Sequence, residues 1–304
     1  MSDLPKGMSS REVRETISSI NRLKLADADY SYLVRRIRQL IVGVPFTGKI
    51  LNPGTRLYRA RRSSKKILHV TELGHPPASS VVSYQRCNPP GKPMFYCASH
   101  QATACYEIDA KVGDIEYVSC WAVKREFFTQ VIPPDQGEYV VDRRMETIAT
   151  FFETKFSQPV HEVFSSQYKI TSAITECVTV GALLESPEGS VVTKREAHKY
   201  GIGCILYPSV SSPRYAECLA LHPGVVEQCT GLEYVEEFVI TDVLNGAISI
   251  ERKDVSSQFV AGCIHWTGKP LHWTPKRENY KIVATVEADG WVVRYEDGTV
   301  INPG

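Results

Sequence analysis

The N-terminal part of the chain repeats apolar residues at the three- and four-residue intervals of an amphipathic helix. Ser9 stands three residues before Glu12, which is the spacing of a capping box and predicts the start of a first helix. A second helix is expected over about 29–42, because Gly43 interrupts the apolar repeat there. These patterns predict an N-terminal helical region, residues 1–50, built as a helical hairpin.

Beyond this region the pattern changes to short apolar runs, which is typical of strands alternating with helices. Strands are expected at 57–60, 93–98, 115–123, 203–208 and 218–222, and helices at about 100–111, 143–156, 171–185 and 193–200. Ser99 is expected to cap the helix over 100–111. The order of elements predicts an α+β fold for residues 51–223.

After Pro223 the predicted elements are strands alone, at 238–243, 247–252, 281–286 and 291–295. Asp297-Gly298 is a strong hairpin-turn signal at the end of this series. Residues 224–304 are therefore expected to form a β-rich C-terminal extension, which either continues the main sheet or folds as a small β appendage.

The composition of the chain argues against three classes of protein, namely those that bind nucleic acid, span a membrane or depend on disulfides. The 35 basic and 34 acidic residues leave a net charge of +1, which gives no field for gripping a nucleic-acid backbone, so we expect no direct nucleic-acid binding. No apolar run approaches the ~18–20 residues that span a bilayer, and the polar stretch at residues 1–7 leads us to expect no secretory leader. Nine cysteines form no CxxC pair. We expect a protein of the reducing cytoplasm, with no disulfides and no membrane contact.

Two further motifs are incomplete. Residues 43–50 match most of a P-loop, but Ile50 stands where a magnesium-binding Ser or Thr belongs, and the segment follows a helix rather than a strand. The histidines are scattered without the spacing of a metal site, apart from loose neighbours such as Cys263 and His265. We expect a turn after the second helix and no metal cofactor.

The stretch from Tyr84 to Glu107 carries the most informative chemistry. Arg86 precedes Asn88-Pro89-Pro90-Gly91, and a loop stiffened by two prolines presents a guanidinium to phosphate at low entropic cost. Glu107 follows small residues on its predicted helix, so its carboxylate can approach a ligand closely. Judged alone, an arginine such as Arg86 is most often a surface charge, and the local sequence of Glu107 favours a solvated helix glutamate.

Candidates from two other segments complete the set. Arg59 belongs to the basic cluster Tyr58-Arg59-Ala60-Arg61, and Ser209 follows Tyr207-Pro208 at the end of an apolar strand. Ser209 alone is equally well read as a turn residue. Arginine, tyrosine, glutamate and serine together suggest a site that holds a phosphorylated nucleotide and acts on a sugar.

Taken in order, these segments resemble the RES domain, a family named for its Arg, Glu and Ser, over roughly Leu57 to Pro223. The similarity rests on Leu57-Tyr58-Arg59, Arg86-x-Asn88-Pro89-Pro90-Gly91-x-Pro93-x-x-Tyr96, Ala104-x-x-Glu107, Tyr207-Pro208-Ser209 and Leu219-Ala220-Leu221. The chain departs from the family at Gln85 and Cys87, where the family usually has a glycine and an aromatic residue.

The resemblance implies a mixed-sheet core similar to ADP-ribosyltransferase toxins, with NAD as substrate and no other cofactor. Family members are typically toxins of bacterial toxin–antitoxin pairs, which hydrolyse or phosphorolyse NAD or transfer ADP-ribose to a protein, and a helix-turn-helix Xre-type antitoxin neutralises them. By position, the resemblance assigns catalysis to Arg86, Glu107 and Ser209, and substrate binding to Arg59, Tyr96, Asn88 and Gly91.

A different class of function stays open beside this one. The same pocket would suit a catalytically silent domain that senses a nucleotide or binds a partner protein. The sequence also leaves open whether the chain forms a homo-oligomer.

Overall fold

A computed structural model of the chain describes residues 7–44, 46, 48–134, 142–160, 162–179, 203–211, 216–244, 247–268, 282–287, 290–295 and 300. Its helices are α1 (Ser10–Asn21), α2 (Tyr30–Ile41), α3 (Gln101–Glu107), α4 (Arg143–Phe156), α5 (Lys169–Val178) and α6 (Pro223–Cys229). Its strands are β1 (Gly48–Leu51), β2 (Arg56–Arg62), β3 (Phe95–Ala98), β4 (Ile115–Val123), β5 (Phe127–Val131), β6 (Cys204–Pro208), β7 (Glu217–Leu221), β8 (Thr230–Leu244), β9 (Ala247–Ser256), β10 (Phe259–Val260), β11 (Cys263–Ile264), β12 (Ile282–Glu287) and β13 (Gly290–Tyr295).

The two N-terminal helices begin and end as their sequences predict. The Glu12 carboxylate accepts the Ser9 N–H at 2.8 Å, which completes the capping box of α1. Asp29 caps α2 by accepting the Ser31 N–H at 2.6 Å. Gly43 follows α2 with φ of +69°, a left-handed conformation that glycine adopts at little cost. In the packed fold α1 lies against α4, and α2 lies against α5.

One sheet of eleven strands runs through the described parts of the chain, in the order β1-β5-β6-β7-β3-β2-β4-β8-β9-β12-β13. β5 and β6 pair in parallel, whereas neighbours such as β2 and β4 pair antiparallel, so the sheet is mixed. The N-terminal helices and the mixed sheet confirm the predicted α+β class. Because β8 pairs with β4 along its length, the C-terminal strands continue the main sheet.

The two faces of the sheet carry separate hydrophobic cores, because side chains alternate between faces along each strand. On one face, here called the helical face, α1 to α5 pack over residues such as Val118 and Ala220. On the opposite face, Phe95 and Trp121 pack edge to face beneath Val225 of α6. Two residues that are adjacent in a strand therefore point to opposite faces of the sheet, and only residues on the same face can contribute to one site.

Several elements differ from the expectations. Helix α6 occupies Pro223–Cys229, where strands alone were expected, because a proline in the first turn and the His222 side chain, which accepts the Gly224 N–H at 3.1 Å, start a helix there. Strand β1 begins at Gly48, inside the segment expected to be a turn, and the short strands β10 and β11 were not expected.

Ser99 does not cap α3, because its N–H bonds to the Glu217 carbonyl at 3.1 Å and keeps it in the β3–β7 ladder. Strand β5 was not expected and pairs with β1 and β6. Strand β8 begins at Thr230, well before the expected start at Phe238.

Some expected features lie outside the described residues. These are the helix over 193–200, the turn at 297–298, the end of the expected 171–185 helix beyond 179, and positions 45 and 47 of the incomplete P-loop match. Within the described ranges, no helix is long and apolar enough to cross a membrane, and no three or more His, Cys, Asp or Glu side chains are grouped to hold a metal ion. All nine cysteines are free, and eight of them are buried.

Candidate active site

The structure brings together two candidates that lie 102 positions apart in the sequence, since the Ser209 hydroxyl donates a 2.5 Å hydrogen bond to Oε1 of Glu107. Glu107 is the last residue of α3, and Ser209 directly follows β6, where its N–H bonds to the Ala216 carbonyl at 2.7 Å. Both side chains are half-buried. Ser209 thus fixes the direction of a carboxylate that remains partly open.

Two side chains beside Glu107, the Cys218 thiol and the Tyr207 phenol, are neutral near pH 7. Burial raises the pKa of the Cys218 thiol, and the charge of Glu107 raises it further. Burial likewise raises the pKa of the Tyr207 phenol, with smaller contributions from neighbours that include Cys87 and Glu107. Glu107 therefore has two neutral neighbours, and because it is half-buried its field is screened less than at an exposed surface.

Tyr96 holds the loop that carries Arg86. The Tyr96 hydroxyl donates to Oδ1 of Asn88 at 2.5 Å and accepts the N–H of Cys87 at 2.9 Å. Asn88 is only 2% exposed, so its amide is a buried anchor for the loop. Burial raises the pKa of Tyr96, which keeps the phenol protonated and able to donate.

Gly91 shapes the far end of the same loop. Its φ of +77° lies in the left-handed region, which explains the glycine. The Gly91 N–H bonds to the Val81 carbonyl at 2.8 Å, and the position is exposed. A Cβ at Gly91 would meet no atom within 4 Å, so the residue is set by the turn and not by a close approach.

Arg86 reaches from this loop to the C-terminal end of α4. Its guanidinium donates to the Phe156 carbonyl at 2.6 Å and to the Gln158 carbonyl at 3.4 Å, and lies 5.2 Å from the ring centroid of Tyr168. The end of a helix carries partial negative charge, which favours a cation there. Because a guanidinium has five N–H donors, Arg86 can hold these carbonyls and an anion together.

Arg59 lies on the opposite face of the sheet, behind Tyr96. Its guanidinium donates to the Tyr96 carbonyl at 2.7 Å and lies 5.1 Å from the ring centroid of Phe95. Burial lowers the pKa of Arg59 to about 10. The structure thus unites Arg86, Tyr96, Glu107 and Ser209 on the helical face, but not Arg59, whose expected contact with substrate stays a prediction.

Sequence reasoning missed two cysteines of this site. Cys87 bonds to Tyr96 through its N–H, and Cys218 lies beside Glu107. Cys218 pairs with Tyr207 in the β6–β7 ladder, so the alternation of side chains along β7 is the signal that could have placed it.

A groove of about 480 Å³ lies between α1 and α4, lined by residues that include Ile17, Arg143 and Lys155. None of the candidate residues lines it. The candidate site is therefore defined by the chemistry of its side chains and not by this groove.

A mixed sheet with arginine, tyrosine, glutamate and serine on its helical face defines a class of α+β domain with charged residues gathered on that face. Within that class the assignment is specific: the family model of the RES domain matches residues 56–237, more than half of the chain, and the chain belongs to this family. The match runs past the expected boundary at 223 and includes much of β8. No curated protein matched the chain.

Proposed function

We propose that the protein consumes NAD by cleaving the bond between nicotinamide and ribose. The observation that carries this proposal is the hydrogen bond from Ser209 to Glu107, formed on the face that also holds Arg86 and Tyr96. Membership of the RES family supports the same reading, since NAD is the substrate that the resemblance implies.

In the proposed reaction the bond between ribose C1′ and the nicotinamide nitrogen breaks, and its electron pair leaves with nicotinamide. Positive charge then develops on the ribose, as in glycoside hydrolysis. The Glu107 carboxylate stabilises that charge or grips the ribose hydroxyls, with Ser209 holding its direction. Arg86 binds the pyrophosphate, and Tyr96 packs on the nicotinamide or ribose.

The two neutral neighbours of Glu107 suit this chemistry. Nicotinamide leaves as a neutral molecule from a cationic precursor, so the leaving group needs no proton. The raised pKa values of Cys218 and Tyr207 keep both groups protonated near pH 7. They therefore add no competing negative charge, and Glu107 acts in surroundings where electrostatic stabilisation is strong.

Incubating the purified protein with NAD tests the proposal. We expect release of nicotinamide, with ADP-ribose as the second product if water captures the ribose and ADP-ribose phosphate if inorganic phosphate does. Reactions with and without phosphate separate the glycohydrolase from the phosphorylase. Label on an added protein instead identifies an ADP-ribosyltransferase, and binding of NAD without its loss identifies a silent domain.

Replacing Arg86 by lysine is expected to raise the KM for NAD about tenfold and to change kcat little. Lysine keeps the charge but loses the planar fork that binds pyrophosphate in two places, and binding lost equally from ground and transition states appears in KM. Steady-state kinetics of nicotinamide release measure this. The exposed Arg14→Lys serves as the matched control, and an unchanged KM in Arg86→Lys would rule out pyrophosphate binding by Arg86.

A protein partner follows from the same proposal. An NAD-depleting toxin needs a neutralising protein, and the resemblance implies an Xre-type antitoxin. Mixing the purified protein with such a candidate should suppress nicotinamide release if the pair is cognate.

A further inference from the structure

The N-terminal helices reach the loop that carries Arg86. Tyr30, the first residue of α2, packs its ring against that of Tyr84, with centroids 5.2 Å apart and planes at 46°. Tyr84 stands two positions before Arg86, so this contact fixes the start of the loop over 84–92. Tyr30 lies outside the stretch that the family model matches, and the contact therefore joins a flanking region to the site.

The Tyr30 hydroxyl ties the same point to α5. It donates to Oε2 of Glu176 at 3.1 Å and lies 3.1 Å from the Ser172 hydroxyl. Glu176 also accepts Nζ of Lys92 at 3.3 Å, and Lys92 is the last residue of the loop. Both ends of the loop thus meet one hydrogen-bonded unit centred on Tyr30 and Glu176.

Lys169 of α5 strengthens this attachment. Its Nζ donates to the carbonyls of Ala26 and Ala28 at 3.2 and 2.9 Å, which holds the connection between α1 and α2. The same Nζ lies 5.5 Å from the ring centroid of Tyr84. Lys169 is only 9% exposed, so these contacts are largely shielded from water.

We propose that Tyr30 is a positioning residue for Arg86, because it fixes the loop over 84–92 through Tyr84 and Glu176. Tyr96 of β3 holds the middle of the loop by hydrogen bonds to Cys87 and Asn88. Tyr30 of α2 contacts Tyr84 at one end of the loop directly and Lys92 at the other end through Glu176. The inference rests on the proposed function only in giving Arg86 the pyrophosphate of NAD as its ligand.

Hydrogen exchange of the full chain tests the positioning directly. In Tyr30→Phe the ring stays but the hydroxyl bonds to Glu176 and Ser172 are lost. We expect backbone amides in peptides over 84–92 to exchange about tenfold faster, since a hydrogen bond to a charged group holds local opening by that order. Tyr32→Phe, on the same helix, should match the unaltered protein. Peptides from β4 should exchange equally in all three.

Enzyme kinetics add a second measurement, the KM for NAD, which should stay unchanged if Tyr30 only stabilises the fold. In an active enzyme, Tyr30→Phe should raise the KM for NAD about tenfold and leave kcat within about twofold, because Arg86 is displaced from its ligand. Unchanged exchange over 84–92, faster exchange throughout β4, or an unchanged KM would each overturn the inference. If the unaltered protein releases no nicotinamide, the proposed function fails, and the exchange of the loop alone decides the role of Tyr30.

Discussion

Replacing Glu107 by glutamine is expected to slow nicotinamide release from NAD by about a hundredfold or more. Removing one group that stabilises developing charge costs ~10²–10³ in rate in other enzymes, and the neutral neighbours Cys218 and Tyr207 cannot replace the carboxylate of Glu107. Glutamine has nearly the same shape and can still accept the hydroxyl bond of Ser209, so the fold should be retained.

The kinetic pattern separates the two roles open to Glu107. A fall in kcat at constant KM shows that the carboxylate acts on charge that exists only in the transition state, whereas a rise in KM shows that it grips the ribose hydroxyls. Glu153→Gln, an exposed change on α4, controls for the loss of one charge. Nicotinamide release by Glu107→Gln at more than half the original rate would remove Glu107 from the mechanism.

The same residue provides a test in cells. Expression of an NAD-depleting toxin should arrest bacterial growth, and Glu107→Ala should relieve the arrest. Both proteins must accumulate to equal levels, since a variant that is degraded would also relieve it.

Local sequence patterns predicted most elements of the fold, because their signals are local. The capping box of Ser9 and Glu12 placed α1, and the apolar run over 115–123 matched β4 residue for residue. Strand β5 was missed, because Phe127–Val131 follows β4 after a short turn and its identity depends on pairing with β1 and β6. Pairing between distant segments leaves no mark in a local pattern.

The candidate site also has a part that the sequence indicated and a part that depends on contacts between distant strands. Motif order in the sequence indicated that Glu107 and Ser209 belong together, and their hydrogen bond is observed. The placement of Arg59 behind the sheet depends on strand register, in which Arg59 faces Ser119 and shares the face of Leu57. A basic residue beside a motif indicates nearby charge, but only the register decides which face that charge occupies.

A buried carboxylate outside the proposed mechanism lies beneath α3. Glu116 of β4 is fully buried, and the hydrogen-bonding group that faces its carboxylate is the Cys105 thiol of α3, which is a weak donor. Burial raises the pKa of Glu116 to about 7, and Asp114 adds to the rise, while Cys105 and Arg62 oppose it. Such a group destabilises the fold when it must ionise.

The direction in which stability changes with pH follows from the pKa of Glu116 in the unfolded and folded states. In the unfolded chain Glu116 ionises near its ordinary pKa of 4.5, whereas in the folded protein it stays protonated up to about pH 7. Between these values the unfolded state loses its proton first, so the free energy of unfolding falls as pH rises and reaches its full loss above pH 7. A pKa difference of this size corresponds to roughly 3 kcal/mol.

Glu116→Gln should therefore gain stability relative to the unaltered protein as pH rises, by roughly 2–3 kcal/mol between pH 5 and pH 8. Burying the glutamine amide is expected to change the free energy of unfolding by the same amount at both pH values. The quantity to measure is therefore how the difference in free energy of unfolding between the variant and the unaltered protein changes with pH. Urea unfolding at the two pH values gives it, with Glu153→Gln as the exposed control. A pH-independent difference between Glu116→Gln and the unaltered protein would show that Glu116 ionises alike in both states, through water or a neighbouring cation beneath α3.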